Sequence, residues 1–133
     1  MGKFAGTWQR TKVEGAEAFF KALNAPEDKL KRAAAAELTS VVKSDGKEIE
    51  LTRTYTLAGE SKSATTKVTV GAESEINGPL GGTHKVTVEA DGDAVVCKTT
   101  DGAMSIRFEI VGEELVETFS AKGNTFKRWH KRA

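Results

Sequence analysis

Phe4-Ala5-Gly6-Thr7-Trp8-Gln9, two short helix-patterned stretches ending near Glu37, and then only alternating runs from Leu38 to Lys131 form an order that decides the fold. The opening segment reads as a strand. After it, Ala16, Phe19, Phe20 and Leu23 recur at the spacing of one helical face. Asn24-Ala25-Pro26-Glu27 reads as a second helix start: the asparagine accepts from unpaired amides, proline suits the first turn, and Glu27 sits at the capping-box offset. Glu27 and Asp28 complement the positive end of that helix, and Ala33-Ala34-Ala35-Ala36 sustains it. Both helices are short, so docking onto the rest of the chain must hold them.

From Leu38 onward the period is two. Ile49, Leu51, Arg53 and Tyr55 alternate with Glu50, Thr52 and Thr54. Turn signals follow at Asp45-Gly46, Ala58-Gly59, Gly78-Pro79, Gly81-Gly82, Asp91-Gly92, Asp101-Gly102, Gly112-Glu113 and Gly123-Asn124. No spacing between strands leaves room for a helical crossover, so the sheet is expected to be antiparallel. The prediction is an all-β chain: a ten-stranded antiparallel up-and-down β-barrel capped by a helix-turn-helix lid, with residues 1–133 as one domain. Such a shape commonly encloses one small ligand.

Composition bounds the function. Only 38% of residues are hydrophobic and 7% aromatic, lean for a filled core but compatible with a solvated interior. Formal charge is +1 and only nine residues are aromatic, which argues against a nucleic-acid partner. Cys97 is the single cysteine, and this excludes an intramolecular disulfide framework and a cysteine metal site. His84 and His130 lack acidic ligand spacing, so neither a metal nor a cofactor is expected. No converging nucleophile and base appear, so catalysis is not expected. Without an apolar leader or a membrane-length run, a cytoplasmic protein is expected, and a monomer.

Polar residues on the inward face carry what chemistry there is. In Thr125 to Lys131, Phe126, Arg128 and His130 share one face and Lys127, Trp129 and Lys131 the other. If the lysines mark solvent, Arg128 and His130 point inward. Glu117 would join that inner set, since it shares a face with Leu115 and Phe119, although a glutamate on an exposed strand is equally ordinary. On the preceding strand Arg107 and Glu109 oppose Ile106 and Phe108, and the pattern leaves both orientations open. An internal arginine needs a carboxylate partner, the protein's own or a ligand's. On pattern alone the commoner reading is Arg128 as one surface charge of a basic tail. Arg53 is either a further internal cation or a rim residue whose long stem reaches solvent. Trp8 reads as core at the barrel floor.

Several of these motifs, in this order, resemble the intracellular fatty-acid-binding protein family, and most closely its liver and ileal bile-acid-binding branch. The resemblance rests on Phe4-x-Gly6-Thr7-Trp8-Gln9, Phe19-Phe20-Lys21-Ala22-Leu23 and Pro26-Glu27-Asp28. It continues through Val68 to Ser74, Glu109 to Thr118, and Thr125-Phe126-Lys127-Arg128 with Lys131-Arg132. It implies a β-clam whose lidded interior holds a lipid. It places Arg128 at the last-strand arginine that contacts ligand carboxylates, and Arg107 at the second internal arginine of the heart and adipocyte types. His130 stands where those members carry tyrosine and the liver branch serine. Glu117 falls on the internal glutamate of bile-acid-binding members.

The resemblance therefore implies a ligand site of Arg128, Arg107, His130, Glu117, Arg53, Tyr55 and Phe119, with Phe20, Leu23 and Leu30 at the portal. Arg107 and Glu117 are expected to form a buried pair across the Gly112-Glu113 turn, leaving Arg128 as the freer anion partner. The implied function is noncatalytic binding and transport of a long-chain fatty acid, or alternatively of a bile acid or sterol, two copies included. Lys29, Lys31 and Arg32 form either a transient membrane contact or an ordinary solvated helix face.

Overall fold

The period-two patterning becomes a ten-stranded sheet in which every hydrogen-bonded pair is antiparallel. A computed structural model describes residues 4–45, 47–77 and 83–133, with the side chains of Leu30 and Ala33 outside that description. In chain order the elements are β1 (Gly6–Glu14), α1 (Ala16–Ala22), α2 (Glu27–Ala35), β2 (Glu37–Asp45), β3 (Glu48–Leu57) and β4 (Glu60–Thr69). Then come β5 (Glu73–Asn77), β6 (Thr83–Asp91), β7 (Ala94–Thr99), β8 (Met104–Val111), β9 (Glu114–Ala121) and β10 (Asn124–Arg132). The expected Gly78-Pro79 and Gly81-Gly82 turns, and the glycine of Asp45-Gly46, fall outside the described residues.

β1 sits mid-sheet, paired with β2 on one side and β10 on the other, so the spatial order runs β4-β3-β2-β1-β10-β9-β8-β7-β6-β5. The end strands β4 and β5 approach each other without a ladder among the described residues. The barrel is tied at its base, where the Gly71 amide donates to the Val88 carbonyl at 2.8 Å and the Val88 amide to Ala72 at 3.3 Å. This is the expected β-clam.

The helices close the opposite end. Phe19 and Phe20 of α1 are buried against Phe119 of β9 and Phe126 of β10, with ring centroids 5.1–6.4 Å apart where these rings meet. α1 is packed on β10, and α2 leans on α1. One capping expectation is corrected. Asn24 adopts a left-handed conformation (φ 59°) just past the end of α1, while Pro26 occupies the N-cap of α2 with no side-chain cap. The asparagine's tolerance for positive φ is used to end the first helix, so it is not available to start the second. No described helix is long and apolar enough to cross a membrane.

Trp8 is core, as its position suggests. It is 1% exposed, its indole N–H donates to the Phe4 carbonyl at 2.9 Å, and the Arg132 guanidinium lies 4.3 Å from its ring.

Gly15 joins β1 to α1 at φ +75°, and a Cβ there would lie 2.3 Å from the Thr125 carbonyl oxygen. Backbone on both sides leaves nothing to give way. Gly15→Ala is expected to lower stability by about 1–3 kcal/mol in urea unfolding. Gly59→Ala, at φ +81° with open space around it, is expected to cost less. Equal losses would contradict the assignment of Gly15 as a contact point.

Candidate functional site

Three strands from both walls of the barrel bring charge to one point. Glu117 on β9 is 1% exposed and lies directly across the ladder from Arg128 on β10, so both side chains enter the interior at one level. Arg128 Nη2 donates to Glu117 Oε2 at 3.2 Å. From the far wall, Arg53 on β3 grips the same carboxylate with both nitrogens: Nη1 donates to Oε1 at 3.0 Å and Nη2 donates to Oε2. His130, fully buried, places Nε2 2.6 Å from Oε1.

Two guanidiniums face one carboxylate, which leaves a formal positive charge in a low-dielectric interior. Burial alone would raise the Glu117 pKa, but Arg128 and Arg53, with His130 behind them, hold it well below the usual carboxylate range. Arg128 is disfavoured as a cation by burial, and Glu117 and then Tyr55 overcome this and raise its pKa. Its Nη1 donates to the Tyr55 hydroxyl at 3.3 Å, and its guanidinium lies 4.9 Å from the Phe119 ring centroid and 5.4 Å from that of Phe126. Burial would raise the Tyr55 phenol too, yet Arg128 and Arg53 hold it below its ordinary value.

The donors of this cluster are not exhausted. Arg128 Nε, His130 Nδ1 and the Ser40 hydroxyl are buried with no hydrogen-bond partner among the described residues. Beside them is an apolar internal cavity of about 40 Å³, lined by Phe4, Ser40, Val42, Ile49, Leu51, Arg53, Val95, Phe108, Leu115 and Glu117. A wider space of about 400 Å³ opens at the barrel mouth between α2 and the β3–β4 hairpin. It is lined by Arg32, Ala36, Tyr55, Leu57, Ala58, Glu60 and Lys62, so Tyr55 touches both the mouth and the buried cluster.

Six of the seven expected site residues therefore converge: Arg128, Glu117, His130, Arg53, Tyr55 and Phe119. Arg107 does not. It stands across from Thr118 on the outer face of β8 and pairs with Asp91 at 2.7 Å and Glu109 at 3.2 Å. The inner face of β8 belongs to Ile106, Phe108 and Ile110, and Phe108 is the residue opposite Glu117. Turning Arg107 inward would expel all three apolar side chains. The expected Arg107–Glu117 pair is thus replaced by Arg53–Glu117, and Arg128, expected to be the freer cation, shares the same carboxylate.

Of the expected portal residues, Phe20 is packed in the aromatic cluster and Leu23 caps α1 half-buried against the core. The side chain of Leu30 lies outside the described set. The mouth lining falls instead on the C-terminal part of α2 and on β3, β4 and their turn.

Two inward polar residues were not anticipated. Ser40 is 1% exposed between Leu38 and Val42 on the inner face of β2, and that alternation is visible in the sequence. Arg10 shares the inner face of β1 with Trp8, but a register irregularity between Arg10 and Lys12 interrupts the alternation just beyond it.

Residues 2–133 match the lipocalin / cytosolic fatty-acid binding protein family. The chain is 30% identical over 129 residues to the liver fatty acid-binding protein of Mus musculus, covering 97% of this chain and 98% of the relative. Among solved structures it resembles a zebrafish ileal bile-acid-binding protein complexed with cholic acid (TM-score 0.81, 26% identity, 98% of this chain and 99% of that one). It also resembles a Schistosoma mansoni fatty acid binding protein in complex with arachidonic acid, in fold alone (TM-score 0.86, 19% identity, 100% and 98% covered).

The depressed pKa of Glu117 sets an acid limit on stability. An unfolded carboxyl takes up its proton near about pH 4.3, while the folded one resists until lower pH, so acid favours unfolding. The contribution is complete above the unfolded value and is lost as pH falls through the folded one. At neutral pH Glu117→Gln leaves two buried guanidiniums uncompensated and is expected to cost about 3–5 kcal/mol in urea unfolding. The gap to the wild type is expected to narrow below about pH 4. A gap that stays constant into acid would contradict an ionised Glu117.

Proposed function

Because this chain belongs to the lipocalin / cytosolic fatty-acid binding protein family, we propose that it is a noncatalytic carrier of a long-chain fatty acid or similar amphipathic carboxylate. The observation that carries this reading is the surplus positive charge of the Arg53–Glu117–Arg128 cluster beside apolar space. A ligand carboxylate neutralises that charge and accepts from the unpartnered donors of Arg128 and His130. Burial of the acyl tail supplies most of the affinity, at about 0.8 kcal/mol per methylene removed from water. Tyr55 hands the head from the mouth to the interior.

A bile-acid carrier is the second reading. It is favoured by Glu117 itself, an internal acid able to accept a hydrogen bond from a sterol hydroxyl, and by likeness to the zebrafish protein named above. Consistent with the family's description as cytosolic, we place the carrier in the cytoplasm, acting as a monomer. The exposed Lys29, Lys31 and Arg32 of α2 supply a transient contact with anionic membranes during transfer.

The test is calorimetric titration with oleate, oleyl alcohol and glycocholate, with native mass spectrometry for stoichiometry. Oleate is expected to bind one per chain. Arg128→Gln is expected to weaken oleate by about tenfold or more, the loss of a charge-assisted bond worth about 1.5–3 kcal/mol, and to affect oleyl alcohol much less. Uptake of two bile salts without oleate would favour the second reading. Uptake of neither ligand class would overturn the carrier function.

A further inference from the structure

Arg10 occupies an unusual position between the lid and the ion cluster. It stands on the inner face of β1, and its register partner on β10 is His130, two residues from Arg128. Its guanidinium turns toward the lid, where Nη2 donates to the carbonyl of Ala36 at 2.6 Å. Ala36 is the C-cap of α2. Its amide bonds the Arg32 carbonyl at 2.9 Å, and its extended backbone starts the descent into β2.

The end of a helix carries unpaired carbonyls and the negative pole of the dipole, so a cation bonded there stabilises the last turn. This cap matters more than most. α2 has nine residues, too few to persist unaided, and among its neighbours Ala36 is buried while the described side chains from Glu27 to Ala35 are exposed. Ala36 also lines the mouth, with Tyr55, whose hydroxyl accepts from Arg128.

Arg10 feels the buried cluster as well. Partial burial disfavours its charge and Arg128 repels it, while Tyr55 and Glu117 attract it; the balance lowers its pKa. An anion placed on Arg128 would offset that repulsion and add attraction. We infer that Arg10 is a positioning residue that couples occupancy of the buried carboxylate site to the docking of α2 over the barrel mouth. A bound carboxylate holds Arg10 against Ala36 and so seats the helix. By reciprocity, a seated helix keeps Arg10 where its charge favours the ligand. The inference rests on the carrier reading.

The experiment compares wild type, Arg10→Met and Arg10→Lys by binding of oleate and of oleyl alcohol, with hydrogen exchange of residues 27–36 in each state. In the wild type, oleate is expected to slow exchange across α2 more than oleyl alcohol does. Arg10→Met is expected to weaken oleate about fivefold or more, to leave oleyl alcohol nearly unchanged, and to lose the oleate-specific protection. Arg10→Lys, which keeps the charge and serves if the methionine variant does not fold, is expected to recover most of both effects. Equal weakening of the two ligands, or oleate-specific protection persisting in Arg10→Met, would overturn the coupling while leaving the carrier reading intact. A wild type that binds neither ligand would overturn both.

Discussion

A carboxylate 1% exposed in the middle of a barrel, held by arginines from opposite walls, is the constraint around which this molecule is organised. Glu117 is costly to bury alone, and so are Arg53 and Arg128. Together they form a strut across the interior, because Arg128 arrives from the strand beside Glu117 and Arg53 from the facing wall. A hydrophobic filling would hold the walls together at lower desolvation cost. What the charged strut provides instead is an interior that stays polar at one point and carries one more positive charge than negative. On the proposed carrier reading, that excess is what an anionic head would neutralise.

The barrel supplies the geometry that makes such a cluster possible. Period-two alternation sends Leu115, Glu117 and Phe119 inward from β9 and Phe126, Arg128 and His130 inward from β10, so the charged level lies between the Phe119–Phe126 pair and the Leu115–His130 pair. The Phe119 and Phe126 rings that flank Arg128 also receive Phe19 of α1. The lid, the aromatic layer and the ion cluster are therefore one continuous packing unit. Tyr55 extends it to the mouth, and Arg10 ties it to the end of α2.

Much of this was legible in the sequence, for identifiable reasons. Lysines at Lys127 and Lys131 marked the outer face of β10 and so turned Arg128 and His130 inward; glycine turns spaced the strands. Alternation gives a face but not a distance across the cavity. Hence Arg53 was recognised as an internal candidate, yet its pairing with Glu117, 64 residues away, was not. On β8 two alternating sets were available, and the resemblance to other family members placed Arg107 inside. The apolar trio of Ile106, Phe108 and Ile110 decided otherwise, with Asp91 and Glu109 receiving Arg107 outside. Arg10 is not legible as an inward residue in the sequence, because the ladder irregularity between Arg10 and Lys12 breaks the alternation just beyond it.

The claim that the surplus charge of this cluster is neutralised by a ligand carboxylate is tested most directly on the ligand itself. Carbon-13 NMR of carboxyl-labelled oleate bound to the protein, followed through an acid titration, reports the ionisation of that group in place. Beside Arg128 and Arg53, the carboxyl is expected to stay ionised well below the pH at which a water-exposed fatty acid takes up its proton, and to lose this shift in Arg128→Gln. A bound carboxyl that titrates as it does in water, in wild type and variant alike, would place the head outside the cluster and contradict the account.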